Sequence, residues 1–371
     1  MGLLMSLPKN GDEEKDLQVD WANPFGSLEE LRGPYLPSEW HKQSGVQLTW
    51  PHAGTDWAYM LDEVQACFVE IAREIAKREL LLIVTPEVET VKKQIANRVN
   101  MENVRFFECE TNDTWARDHG AITLLDTTSP LLLDFRFNGW GDKFEASLDN
   151  QITRKVYDGG FFKSEYKSHL DFVLEGGSIE SDGRGTLLTT STCLLAPHRN
   201  QPMNQTDIND YLRSTLHVEQ ILWLDYGYLA GDDTDSHVDT LARLCPNNTI
   251  AYVKCTNPED EHFEELQKME EQLGTFHTLK GEPYRLLALP MADSIVEDGE
   301  RLPATYANFL VINGAVLFPT YDQKKNDAAA AEVLAEAFPG KEIIGIDCRA
   351  LIKQHGSLHC VTMQFPEGVI K

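Results

Sequence analysis

Five diverged copies of one plan, two short strands, a helix and a further strand, recur along this chain, the first with a single strand before its helix, and that repetition limits the folds open to it. The first unit reads as a strand at 46–50, a helix at 60–78 carrying Leu61, Val64, Cys67, Phe68, Ile71 and Ile75 at helical spacing, and a strand at 81–85. The second reads as strands at 119–125 and 131–137, a weaker helix at 145–157 and a strand at 172–174. In the third, 178–180 and 186–190 flank a turn at 181–185, a hairpin signal, before a helix at 207–216 and a strand at 220–224. The fourth runs 241–244, 249–254, an acidic helix at 260–273 and 285–289. The fifth runs 308–312, the turn Asn313-Gly314, 315–319, a helix at 327–338 and 342–346. An additional helical stretch at 87–97 follows the first unit. Repeats of this kind cannot bury their faces alone, and closing them into a ring gives them a common core.

No Pro/Gly/Ser-rich linker breaks the chain after Tyr35, so residues 34–371 are expected to be one domain. Residues 1–33 are polar and weakly periodic, which predicts an extension that is partly disordered or draped on the surface. The start lacks a basic segment followed by an apolar one and so does not read as a signal peptide; Gly2 and Ser6 fit the loose myristoylation pattern. Apolar runs fall well short of the roughly 18 residues that span a bilayer, so no membrane partner is expected. The formal net charge of −26 argues against nucleic acid, whose phosphates need clustered Lys and Arg, and is compatible with attraction of a small cation. The seven cysteines are widely spaced and form no CxxC, against a disulfide framework or a zinc site and for a reducing, cytoplasmic compartment.

Four segments carry groups suited to chemistry. Cys360 lies between His359 and the alternating Val361, Met363 and Phe365, which places a thiol at the lip of a short strand with Gly356 nearby. A nucleophile and an inert buried thiol both fit that setting. His237 and Asp239, in GDDTDSHVDTLARL, are two apart and would enter one cleft side by side on an extended segment. Acid–base work, a metal site and a solvated acidic loop all remain open for them. Glu175 precedes Gly176 and Gly177 after an apolar strand, where glycines permit unusual torsions or a close ligand approach, or simply form a bulge. Trp115 and Asp118, in TWARD, pair an aromatic face with a carboxylate, as a flat cation would require; a core tryptophan beside a surface ion pair reads equally well. Together they amount to a thiol, a histidine, carboxylates and an aromatic from separate repeats. A planar, permanently charged guanidinium would need such a set if its carbon were to be attacked.

With LPSEWHKQSGVQLTWPH, TWARDHG, LEGGSIESDGRGTLLTT, GDDTDSHVDTLARL, TYANFLVING and SLHCVTMQFP in order, the chain from about Tyr35 onward resembles the agmatine deiminase family, grouped with bacterial peptidylarginine deiminases. The resemblance implies a pentein-like, fivefold pseudosymmetric α/β propeller with one central active site. It implies Cys360 as nucleophile, His237 as general acid and base, Glu175 in support of proton transfer, Asp118 and Asp239 on the guanidinium, and Trp115 on the pocket wall. It implies neither metal nor organic cofactor, and a small guanidino substrate, agmatine first. Peptidyl or free arginine is the alternative substrate, with an amidinotransferase or a non-enzymatic binding propeller behind it; a homodimer is left open. Two motifs depart from the family. Many relatives have GGG where this chain has Gln354-His355-Gly356, and DETNGHVDN where it has DDTDSHVDT, changes that bear on the pocket for the substrate's tail.

Overall fold

The computed structural model describes residues 33–371. The extension expected over 1–33, with its myristoylation pattern, lies outside the described residues apart from Gly33.

Five mixed sheets share one construction. In the first, β1 (Gln43–Thr49) runs parallel to β2 (Leu80–Thr85), which runs parallel to β3 (Val104–Glu108). The second orders β4 (Ile122–Leu124), β5 (Leu131–Arg136) and β6 (Glu165–Val173), and the third β7 (Ile179–Ser181), β8 (Thr186–Thr190) and β9 (Gln220–Leu224). The fourth orders β10 (Ala242–Cys245), β11 (Thr249–Lys254) and β12 (Arg285–Pro290). A two-stranded hairpin of β13 (Val296–Glu297) and β14 (Glu300–Arg301) precedes the fifth, β15 (Leu310–Ile312), β16 (Ala315–Thr320) and β17 (Glu342–Asp347). In sheets two to five the first pair is antiparallel and the second parallel. The antiparallel partner of β1 is β18 (Thr362–Pro366), from the far end of the chain. The opening strand of the first unit is therefore supplied by the C-terminus, a closure that the linear reading could not see.

Each parallel pair needs a crossover, and a helix provides it. These are α1 (Leu61–Ala76), α3 (Ile152–Asp158), α4 (Gln205–Leu216), α5 (Phe263–Leu273) and α6 (Lys324–Ala337), while α2 (Val88–Ile95) links β2 to β3. The stripe foreseen on α1 is the face it buries, with Val64, Cys67, Phe68, Ile71 and Ile75 inside. Asn204 and Asp207 close a capping box at the start of α4, so the helix begins two residues before the expected 207.

Two strands differ from expectation for one reason. β3 was not foreseen and β6 is far longer than 172–174; both are sheet edges, and Glu165, Lys167, Ser168, Leu170 and Asp171 of β6 are exposed, so no apolar alternation marks them. The strand expected at 119–125 shrinks to β4, because Ala116–His119 is a helical turn. All seven cysteines are free and buried. No helix among the described residues is long and apolar enough to cross a membrane.

Candidate active site

The segments leading into β4, β7, β10, β15 and β18, the first strand of each sheet, converge. They bring Asp118, Glu175, His237 with Asp239, Asn308 and Cys360 together, all buried. Cys360 Sγ donates to Asn308 Oδ1 at 3.4 Å, and the backbone N–H groups of His359 and Cys360 donate to the same oxygen at 2.8 and 3.3 Å. The Cys360 carbonyl accepts from Arg117 N at 3.1 Å, tying the thiol's loop to the one bearing Asp118. Asp118 Oδ1 accepts from Gly177 N at 3.0 Å and lies 3.7 Å from His237 Nδ1, and Oδ2 accepts from Trp140 Nε1 at 3.0 Å. Asp239 Oδ2 stands 2.7 Å from His359 Nδ1, while its Oδ1 is buried without a hydrogen-bond partner. Glu175 Oε1 accepts from Arg199 Nε at 2.8 Å, and Oε2 has no partner. Arg199 also reaches Asp235 and the Thr234 carbonyl, fastening Glu175 to the histidine loop.

The structure brings together all the residues proposed for the site, with local geometry that differs from expectation in two places. His237 and Asp239 do not share an extended segment, since Val238–Thr240 is a 3-10 turn; the turn brings both to one place regardless. Gly176 and Gly177 need no special torsion, as neither has a positive φ. They are required by crowding. A Cβ on Gly177 would lie 2.6 Å from His237 Nδ1, 2.9 Å from Asp118 Oδ1 and 3.0 Å from Asp239 Oδ2. Asp235 and Ser236 do adopt positive φ, 66° and 63°, where the relatives' motif reads Asn-Gly.

Burial, then the Asp239 and Asp118 carboxylates, push the Cys360 thiol well above its usual range. Burial would lower the His237 imidazole, but Asp118, with Cys193 and Glu175, outweighs it and raises His237 well above its ordinary value. Asp118 is itself pushed up to about 6, first by burial, with His237 opposing and Asp239 and Glu175 adding to the rise. Asp239 goes the other way: burial opposes ionisation, yet the hydrogen bond and charge of His359 hold it below the usual carboxylate range. The neighbouring charges thus favour the protonated form of His237 and the ionised form of Asp239.

A pocket of about 380 Å³ opens over Cys360, walled by Trp115, Trp140 and Phe144 and bordered by Asp56, Asp113, Asp118, Asp233 and His355. Trp115 packs on Trp57 and Trp140 at 5.8 and 6.1 Å, and its Nε1 donates to Asp113 at 3.0 Å. A larger cavity of about 630 Å³, bordered by Glu39, Arg117 and Glu180, lacks Cys360 and Asp118, which border the smaller one, so the chemistry belongs there. His355 occupies the altered glycine position at φ 66°, its Nδ1 2.7 Å from the Gly231 carbonyl. Sequence reasoning assigned no role to Asn308, Arg199, Trp140, Asp113 or Cys193. Asn308 lay unremarked inside TYANFLVING.

Two buried groups, Glu175–Cys193–His237 and Glu39–Glu180–His359, bring metal-ligating atoms within 4.8 Å of one another. Each already faces a protein cation: Arg199 is on Glu175, and Arg243 is on both Glu39 and Glu180.

Residues 35–366 match the family model of the Porphyromonas-type peptidyl-arginine deiminases. The chain belongs to that family. A Porphyromonas gingivalis structure described as a candidate arginine deiminase is 51% identical, with TM-score 0.86, covering 91% of this chain and 100% of that one. The C. jejuni agmatine deiminase, a cysteine-to-serine variant with substrate bound, is 40% identical at TM-score 0.84, over 90% and 97% of the two chains. A Marinomonas relative described as a candidate agmatine deiminase is 32% identical, over 91% and 95%. Family membership gives the convergence at Cys360 a chemical context, since deimination is attack on a guanidino carbon.

Proposed function

We propose that this chain is an agmatine deiminase, a hydrolase of C–N bonds that converts agmatine and water to N-carbamoylputrescine and ammonia, with Cys360 as its nucleophile. The observation that carries the reading is one pocket in which the buried Cys360 thiol and Asp118 lie beneath an aromatic wall, with the buried His237 ring 3.7 Å from Asp118. Agmatine is favoured over free arginine by the pocket's border. Asp56, Asp113 and Asp233 line it, so a distal ammonium is attracted where an α-carboxylate would be repelled.

The guanidinium enters along Trp115 and is held by Asp118 and by the unpartnered Asp239 Oδ1. Its charge offsets the two carboxylates that hold the thiol in its protonated form, so when substrate is bound the S–H proton passes to solvent and the thiolate forms. The sulfur lone pair bonds to the guanidinium carbon. His237 gives its proton to one terminal nitrogen, and the C–N bond breaks with its electron pair leaving on ammonia. The product of this half-reaction is an S-amidino cysteine. Water then adds to the same carbon while neutral His237, supported by Glu175, takes its proton. The C–S bond breaks with its electron pair leaving on sulfur, which takes up the proton remaining on the added oxygen, releasing the ureido product and the Cys360 thiol. The five sheets, joined through β18 and β1, are in this reading five blades of a pseudosymmetric propeller with the site on its axis. A single domain over 34–371 follows from that arrangement.

Incubation with agmatine, arginine and C-terminal-arginine peptides, with no acceptor amine, tests the assignment. Ammonia and ureido product are expected in equal amounts from agmatine, and none from Cys360→Ala. Preference for an arginine peptide would move the substrate, and absence of ammonia without an acceptor would indicate amidino transfer.

A further inference from the structure

His359 precedes the proposed nucleophile, and its ring lies between two carboxylates. Nδ1 is 2.7 Å from Asp239 Oδ2 and Nε2 is 2.7 Å from Glu39 Oε2, with the side chain 1% exposed. Carboxylates only accept, so both contacts are satisfied when each ring nitrogen carries a proton. Arg243 Nη2 is farther from Nε2, at 3.1 Å, and is itself 2.9 Å from Glu39 Oε2. Arg243 also grips Glu180 at 2.5 Å, and Arg117 Nη2 stands 4.0 Å from Glu39. The three carboxylates Glu39, Glu180 and Asp239 are then matched by Arg117, Arg243 and an imidazolium. Such a buried network adds little stability over well-packed apolar side chains, so orientation is the better account of what it does here.

We propose that His359 is a positioning residue which, fixed by Glu39, turns Asp239 so that Oδ1 faces the guanidinium beside Cys360. This rests on the reading that Asp239 receives the substrate. The same residue fixes the sulfur, because its backbone N–H shares Asn308 Oδ1 with that of Cys360. The side chain that aims the carboxylate and the backbone that aims the thiol are therefore one unit. Glu39, in the LPSEW segment just before β1, sits behind both. It also accepts from Val311 N at 2.7 Å, which anchors it to β15.

A coupling cycle separates positioning from general support of the fold. His359→Gln, Asp239→Asn and the double variant are assayed on agmatine, and KM and kcat are read separately. Each single change is expected to raise KM by about ten- to a hundredfold, the range for a lost charge-assisted hydrogen bond. The double variant is expected to be no worse than Asp239→Asn alone, because His359 acts through Asp239. Additive losses, or a fall in kcat at unchanged KM in His359→Gln, would overturn the proposal while leaving the function intact. An unchanged KM in Asp239→Asn would overturn the reading beneath it as well. If His359→Gln does not fold, Glu39→Gln takes its place in the same cycle, with the same two outcomes.

Discussion

Gly177 is the glycine around which three of the site's reactive side chains crowd. Its missing Cβ leaves room for the His237 ring, Asp118 and Asp239 at once. Gly177→Ala is expected to leave a folded protein, judged by circular dichroism, and to lower kcat/KM by about 10²-fold, as displacement of reacting groups by an ångström does. A second expectation concerns pH. Asp113 is pushed up to about 7, chiefly by burial and also by Asp56, and Asp233 to about 6, by burial and then Asp232. Both titrate from neutral to charged as pH rises, and a distal ammonium binds the charged forms better. The KM for agmatine should therefore fall between about pH 5.5 and 7.5, and Asp113→Asn should flatten that fall. The thiol, the histidine and the carboxylates each had a bland reading of their own, and they were legible as a site only together, through the ordered motifs that join them. Asn308, Arg199 and the Glu39–His359 contact were not, because each acts on a partner 24 to 320 positions away that only the fold brings near.

At the scale of elements, the strands that could be read were the interior ones. β8 and β16 are almost wholly buried and stand out as apolar runs, whereas the polar edges β3 and β6 do not. The hairpin of β7 and β8 was legible from its turn, and the helices from their spacing. Pairing across the termini was not, since nothing local in 362–366 points to 43–49. That pairing makes a further prediction. Removal of residues 362–371, which spares Cys360, strips β1 of its antiparallel partner and exposes a buried strand. Size-exclusion chromatography should then show aggregate rather than a folded species. A folded, active truncation would mean that β18 is dispensable.

For the molecule as a whole, the formal charge of −26 creates a field that favours approach of a small cation. The kcat/KM for agmatine should fall as salt is raised from low ionic strength toward about 0.15 M, where screening shortens to about 8 Å. A neutral thiol reagent directed at Cys360 should react at a rate nearly independent of salt. The central claim is that Cys360 becomes covalently joined to the substrate carbon. Acid quench during turnover of agmatine, followed by mass spectrometry of the peptide containing Cys360, tests it most directly. This peptide alone should gain the mass of agmatine less ammonia, and the adduct should decay to free thiol as N-carbamoylputrescine appears. Turnover without that adduct, persisting in Cys360→Ala, would contradict it.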